Sequence, residues 1–148
     1  IAIISLFIPG KTTGPSEPII PATPEKEIVV KNSGSGAALI QECGDKNFIS
    51  SEADYIIEGT VENVENKNVD SSIISYIDLK IENYIKGTPF TKDNLQIITL
   101  GGRITLGGEI IPGEDEPIFH EGKKVRIYFK EINGEFSIVC AMLGVEEI

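Results

Sequence analysis

Between Tyr55 and Glu62 the chain changes polarity almost residue by residue: Tyr55, Ile57, Gly59 and Val61 stand on one side, Ile56, Glu58, Thr60 and Glu62 on the other. Successive side chains of an extended chain point to opposite faces, so a period of two predicts a strand with one face toward a core. Residues 63–70 are polar and predict a turn. Ile73, Ile77, Leu79, Ile81 and Ile85 then fall on one side of a long second strand, with Tyr76, Asp78, Lys80, Glu82, Tyr84 and Lys86 opposite. A strand of this length with so regular an alternation has to coil around something, as barrel strands do.

Gly87, Thr88 and Pro89 end that strand. A third, Leu95 to Leu100, is apolar on both sides and therefore expected to be covered on both. A glycine-rich stretch, Gly101 to Gly108, leads into the acidic loop Glu114, Asp115 and Glu116. The fourth strand turns Val125, Ile127 and Phe129 inward and Arg126, Tyr128 and Lys130 outward. Asn133-Gly134 predicts a type I′ hairpin, which requires positive φ at both central residues, and a fifth strand runs from Phe136 to Met142. The only helix expected in this region is a short one within residues 47–54.

The segment before this pattern differs in composition. Residues 1–8 form an uncharged run far shorter than the roughly 20 residues of a spanning helix, and they read as the end of a signal peptide or an N-terminal membrane tether. Residues 9–42 are rich in Pro, Gly and Ser and read as an extended stalk, with room for a short strand at Glu27 to Val30. Residues 43–148 are the expected barrel domain.

Composition supports one domain plus a tail in 148 residues, and the 41% hydrophobic and 24% charged fractions exclude both a disordered chain and an integral membrane protein. The apolar set is biased toward Ile and Val, which favour a pleated sheet over a helix. The net charge of -10, from 13 Lys plus Arg against 23 Asp plus Glu, repels phosphate backbones, so nucleic acid is not an expected partner. Cys43 and Cys140 are too few for a four-thiolate zinc site and lack redox-pair spacing. They are either one long-range disulfide or two buried thiols. A bridge would close a loop near one hundred residues, worth about 4 to 5 kcal/mol in the chain-entropy account.

Candidate chemistry is sparse. A hydrolase triad needs a base, and the single histidine, His120, sits in a turn beside Glu121 and Gly122. There is no GxSxG elbow, HExxH pair, P-loop or haem-attachment motif, so neither enzyme nor cofactor is expected. The stretch Gly101, Gly102, Arg103, Gly107 and Gly108 lacks the ending of a phosphate cradle and reads as a mobile rim loop that closes over a ligand. Glu114 to Glu116 offer oxygen ligands but not the spacing of a calcium loop, so they read as solvated charge and no metal site is expected. Tyr76, Tyr84 and Tyr128, with Lys80, Lys86 and Arg126, form a candidate interaction face of aromatic and basic residues on neighbouring strands. Its alternative is ordinary cross-strand packing.

Five strands, the second long and coiled, a long connection from the third to the fourth and a tight final hairpin resemble an OB-fold: an all-β, five-stranded closed barrel with a short helix and an extended N-terminal tail. Within that fold the chain resembles the TIMP and netrin-module type of secreted barrel and the microbial surface proteins that share its layout. The residues carrying this are Ala53 to Val61 after Cys43, Tyr84 to Gly87, Thr99 to Gly102, Pro117 to Phe119 and Glu121 to Phe129. The resemblance spans Cys43 to the C-terminus and implies an extracellular or cell-surface module that binds a protein, a glycan or a cell-envelope component. TIMP-family inhibitors chelate a protease's zinc through an N-terminal Cys. Here Cys43 follows a long segment, so that activity requires cleavage just before it.

Overall fold

The computed structural model describes residues 28–32, 40–113 and 116–148. The readings of residues 1–8 as a leader or tether, and of most of the stalk, lie outside them. Eight strands form among the described residues: β1 Val29–Lys31, β2 Tyr55–Val69, β3 Ser72–Lys86, β4 Asn94–Ile104, β5 Ile110–Pro112, β6 Lys124–Ile132, β7 Glu135–Ile138 and β8 Val145–Glu147. One helix, α1 Lys46–Glu52, precedes β2, and its Asp45 cap accepts a hydrogen bond from the Asn47 backbone N–H. The strands hydrogen-bond in the order β1-β7-β6-β2-β3-β4, and β4 pairs back to β1, closing a six-stranded barrel. The expected all-β barrel forms, with one more stave than the five anticipated.

The additional stave is β1, from the segment read as stalk. It runs parallel to both neighbours, with Val30 opposite Ile97 on β4 and Phe136 on β7. Val30 is fully buried, so residues 28–32 belong to the barrel. The short strand expected at Glu27 to Val30 thus forms at Val29–Lys31, but three residues are too short to display a period, which is why the sequence pattern does not place it in the barrel. The remaining edge of β4 is taken by β5, and the edge of β6 beyond β7 is taken by β8.

The β2–β3 hairpin differs from expectation in two ways. Residues 63–69 continue the strand instead of turning, and Val69 pairs with Ser72 around Asp70 and Ser71, both at positive φ. These residues are polar because the hairpin projects past the barrel and is largely exposed. The ladder also carries unpaired extra residues at Glu62, Glu82 and Ile85. Each such bulge reverses the alternation after it. Ile85 is therefore half-exposed, whereas Tyr84 turns inward against the core. At Gly59 the strands approach so closely that a Cβ would run into the Lys80 carbonyl.

Inside the ring, Val30, Ile57, Ile77, Leu79, Ile97, Ile127 and Phe129 are almost completely buried. One end is filled by aromatic rings: Tyr55 stacks on Phe90 at 4.9 Å and on Phe129 at 5.1 Å, with Phe136 edge-on at 5.6 Å. A second cluster lies outside the ring, where α1 covers the outer face of β2 and β6. There Ile49 and Ala53 pack on Ile56, Tyr128 and Val139. This explains an apolar Ile56 among the outward residues of β2.

Cys43, in the 3₁₀ turn Gln41–Gly44, is bonded to Cys140 just after β7, across a separation of 97 residues. The bridge holds the α1 side of the molecule against the barrel. Replacing both cysteines (Cys43→Ser with Cys140→Ser) is predicted to lower the thermal midpoint by roughly 10–20 °C. Calorimetry of the two proteins checks this, and an unchanged midpoint contradicts it.

Candidate functional site

The inward faces of β2, β3 and β4 run on past the aromatic-filled core and line a cavity of about 240 Å³. Val64 and Asn66 come from β2, Ser75 and Ile77 from β3, Thr99 and Gly101 from β4. The opposite wall is the β5–β6 connection, where Pro112 and Gly113 precede the segment Glu116 to Phe119. Phe119 is buried in the barrel core and anchors that segment, while Ile118 points to solvent at 74% exposure. The lining residues include hydroxyl, amide and hydrocarbon groups but no Lys, Arg or His.

Glu116 is the lining residue the sequence reading misplaced. Instead of forming solvated charge it is 8% exposed, and its Oε2 accepts a hydrogen bond of 2.7 Å from Asn32 Nδ2 at the end of β1. Glu114 and Asp115 fall outside the described residues. Glu116 Oε1 and Asn32 Oδ1 are both buried and have no hydrogen-bond partner among the described residues, and Glu116 forms no ion pair with a described cation. Buried polar groups are normally satisfied, because an unpaired one forfeits its bonds to water. Of the two orphan acceptors, one belongs to the lining residue Glu116 and the other to Asn32, which is not among the lining residues.

The candidate interaction face does not form as a stripe. Tyr76 is half-buried on the outer face, with the Lys67 ammonium 4.9 Å from its ring centre. Tyr84 faces inward and its hydroxyl accepts a hydrogen bond from the Phe90 backbone N–H at 3.0 Å. Tyr128 lies buried beneath α1, and Lys86 donates to the Ser50 carbonyl at 2.9 Å, which ties β3 to the same helix. Arg126 is held between two carboxylates, at 2.6 Å from Glu58 and 3.5 Å from Glu146. Lys46 and the Tyr128 hydroxyl also reach Glu146. Bulges and the covering helix have separated residues that strict alternation places together.

The glycine-rich stretch forms the β4–β5 hairpin. Gly101, Gly102 and Arg103 belong to β4, and β5 pairs back on them. Gly107 and Gly108 sit in the turn, which the Thr105 N–H to Glu109 carbonyl bond closes at 2.9 Å. Gly101 alone of the set reaches the cavity wall. Gly102 has a φ of 151° and a Cβ there would meet the Ile111 carbonyl oxygen at 2.5 Å, so the hairpin demands glycine. His120 is exposed, 3.9 Å from Glu147. None of the described helices is long and apolar enough to cross a membrane.

Sequence reasoning missed Ser75, Thr99 and Glu116 as a group, because they come from β3, β4 and a connection. The available signal was an acid set against the apolar run Pro117, Ile118 and Phe119. Comparison with models of known protein families and with curated proteins finds no match for the chain.

The Arg126 guanidinium, through its hydrogen bonds, holds the Glu58 carboxyl below the usual carboxylate range. A carboxylate with a lowered folded-state pKa stabilises above its unfolded value of about 4.3, and that stabilisation is lost as pH falls through the folded value. Glu58→Gln is therefore predicted to be less stable than the parent at pH 7, with a smaller difference at an acid pH below the unfolded value of about 4.3. Urea midpoints of both proteins at the two pH values check this.

Proposed function

We propose that this protein is a non-catalytic binding module that works outside the cytoplasm and receives its ligand at the barrel mouth. The observation that carries this reading is the cavity between the projecting β2–β3–β4 sheet and the Glu116 to Phe119 segment, where the Ser75 and Thr99 hydroxyls and the buried Glu116 carboxyl sit in an otherwise largely apolar wall. Concave, mostly apolar sites with a few converging polar groups are the usual form of a ligand site. The Cys43–Cys140 bridge supports an oxidising compartment, where such bonds persist. The partner class remains a protein, a glycan or a cell-envelope component that presents a small group to the cavity.

Two alternatives fit less well. Inhibition in the TIMP manner needs a free terminus at Cys43, but cleavage there would remove β1 and with it the fully buried Val30. Single-strand nucleic acid binding is opposed by the net charge of -10.

Filling the cavity tests the proposal. Ser75→Leu places hydrocarbon in the space and is predicted to keep the thermal midpoint within a few degrees. In a fragment screen followed by ¹⁵N-resolved NMR, fragments that shift the Thr99, Gly101 and Gly113 amides of the parent should fail to do so in the variant. A parent that binds no fragment at those amides contradicts the reading.

A further inference from the structure

We infer that the free edge of β2 is a docking surface for a second copy of this chain, the two β2 strands running antiparallel with Asn66 facing Asn66 at the centre. β2 pairs with β6 only through Thr60, and Val61 bonds to the main chain of Gly122 and Lys123. Beyond Val61 this edge meets no other strand among the described residues. Main-chain groups of successive residues in an antiparallel strand point alternately to one neighbour and the other. Val64 marks the phase: its N–H leaves the ladder and is held by Glu121 Oε1 at 3.0 Å. No register shift follows Asn63, so Asn66 and Asn68 also turn their N–H and C=O groups outward, and both residues are exposed.

Charge selects the occupant. Glu65 and Lys67 are exposed on one face of the strand, with their charged ends 3.8 Å apart. With Asn66 on a two-fold axis, Asn66 exchanges main-chain bonds with its counterpart and Val64 with Asn68 of the second copy. Glu65 of each copy then lies directly opposite Lys67 of the other. Opposite charges in directly opposed positions stabilise a strand pair and like charges oppose it. Centring the contact on Lys67 would set Lys67 against Lys67, and centring it on Glu65 would set Glu65 against Glu65. One register therefore satisfies the outward main-chain groups and the charges together, and it is self-complementary, as an isologous two-fold contact requires.

The edge lacks the devices that usually blunt one. Residues 64–68 contain no proline and no bulge. The Lys67 ammonium lies 4.9 Å from the centre of the Tyr76 ring on β3, on the side away from the edge. Only Glu121 caps an outward group, and in the pair the Asn68 carbonyl of the second copy takes the Val64 N–H from it. The net charge of -10 on each chain opposes association at low salt. At about 0.15 M salt the Debye length falls to about 8 Å, so the charges nearest the seam decide. The contact needs no ligand in the cavity, and its test is independent of the fragment screen.

The experiment is sedimentation velocity on the full chain at about 0.15 M salt, at protein concentrations up to about 1 mM. The parent is expected to pass from monomer to dimer. Lys67→Glu leaves carboxylates at both positions and Glu65→Lys leaves ammonium groups at both. Each variant alone sets like charges across the seam and is expected to dimerise at least about tenfold more weakly. Mixed in equal amounts, the two variants place every carboxylate opposite an ammonium, and a heterodimer as strong as the parent dimer is expected. That pattern supports the proposal. A parent that stays monomeric throughout overturns it and leaves the edge to an extended segment of another protein. A dimer that both variants retain, or that mixing does not restore, also overturns it. Should either variant not fold, amide exchange in the parent decides. Exchange that slows at Asn66 and Asn68 with rising concentration supports the proposal, and unchanged exchange there contradicts it.

Discussion

The structure depends on a short piece of backbone satisfying two sheet edges at once. Without β1, β4 and β7 would each present unpaired N–H and C=O groups beside a core whose central residues are fully buried. Exposed edges of that kind are open templates for another chain. Three residues suffice because β5 and β8 cover neighbouring stretches of the same ladder, on β4 and β6. Closure is thus assembled from short pieces laid end to end rather than from full-length staves. Val30 adds the one apolar side chain that β1 buries completely.

The same strand leads directly into the candidate site. Asn32 follows β1, and its amide holds Glu116 in a wall that also rests on Phe119 in the core. Ring closure and the placement of a buried carboxylate are therefore one event. Stability alone would favour an arrangement with every acceptor paired, and local departures of this sort concentrate where a protein binds something. The outer surface follows the opposite logic. Arg126, Glu58, Glu146 and Lys46 are mutually paired and serve to hold β2, β6, β8 and α1 together.

Much of the fold was legible in the sequence because one face of each long strand is buried and the other is not. Ile57, Val61, Ile77, Leu79, Ile97, Ile127 and Phe129 all take the inward positions their spacing implies. The hairpin at Asn133-Gly134 forms with both residues at positive φ. What failed did so where periodicity carries no information. Bulges at Glu82 and Ile85 shift parity without altering composition, which exchanged Tyr84 and Ile85. Tyr128 looks like an outward residue until α1 is laid over it, and β1, expected as a short strand of the stalk, is too short for its period to place it in the ring. The candidate cavity was illegible for a further reason: Ser75 and Thr99 are cross-strand partners on β3 and β4, but Glu116 joins them from a connection distant in sequence.

The placement of β1 also fixes an order of assembly. Val30 finds its partners at Ile97 and Phe136, so loop-closure entropy is lost before this strand returns any contact. Hairpins such as β2–β3 and β6–β7 need no such distant meeting. The insertion of β1 accordingly completes the fold late, and until then the flanks of β4 and β7 lie open to a second copy emerging nearby. A chain whose stave must travel so far carries its greatest hazard during synthesis, not in its finished state.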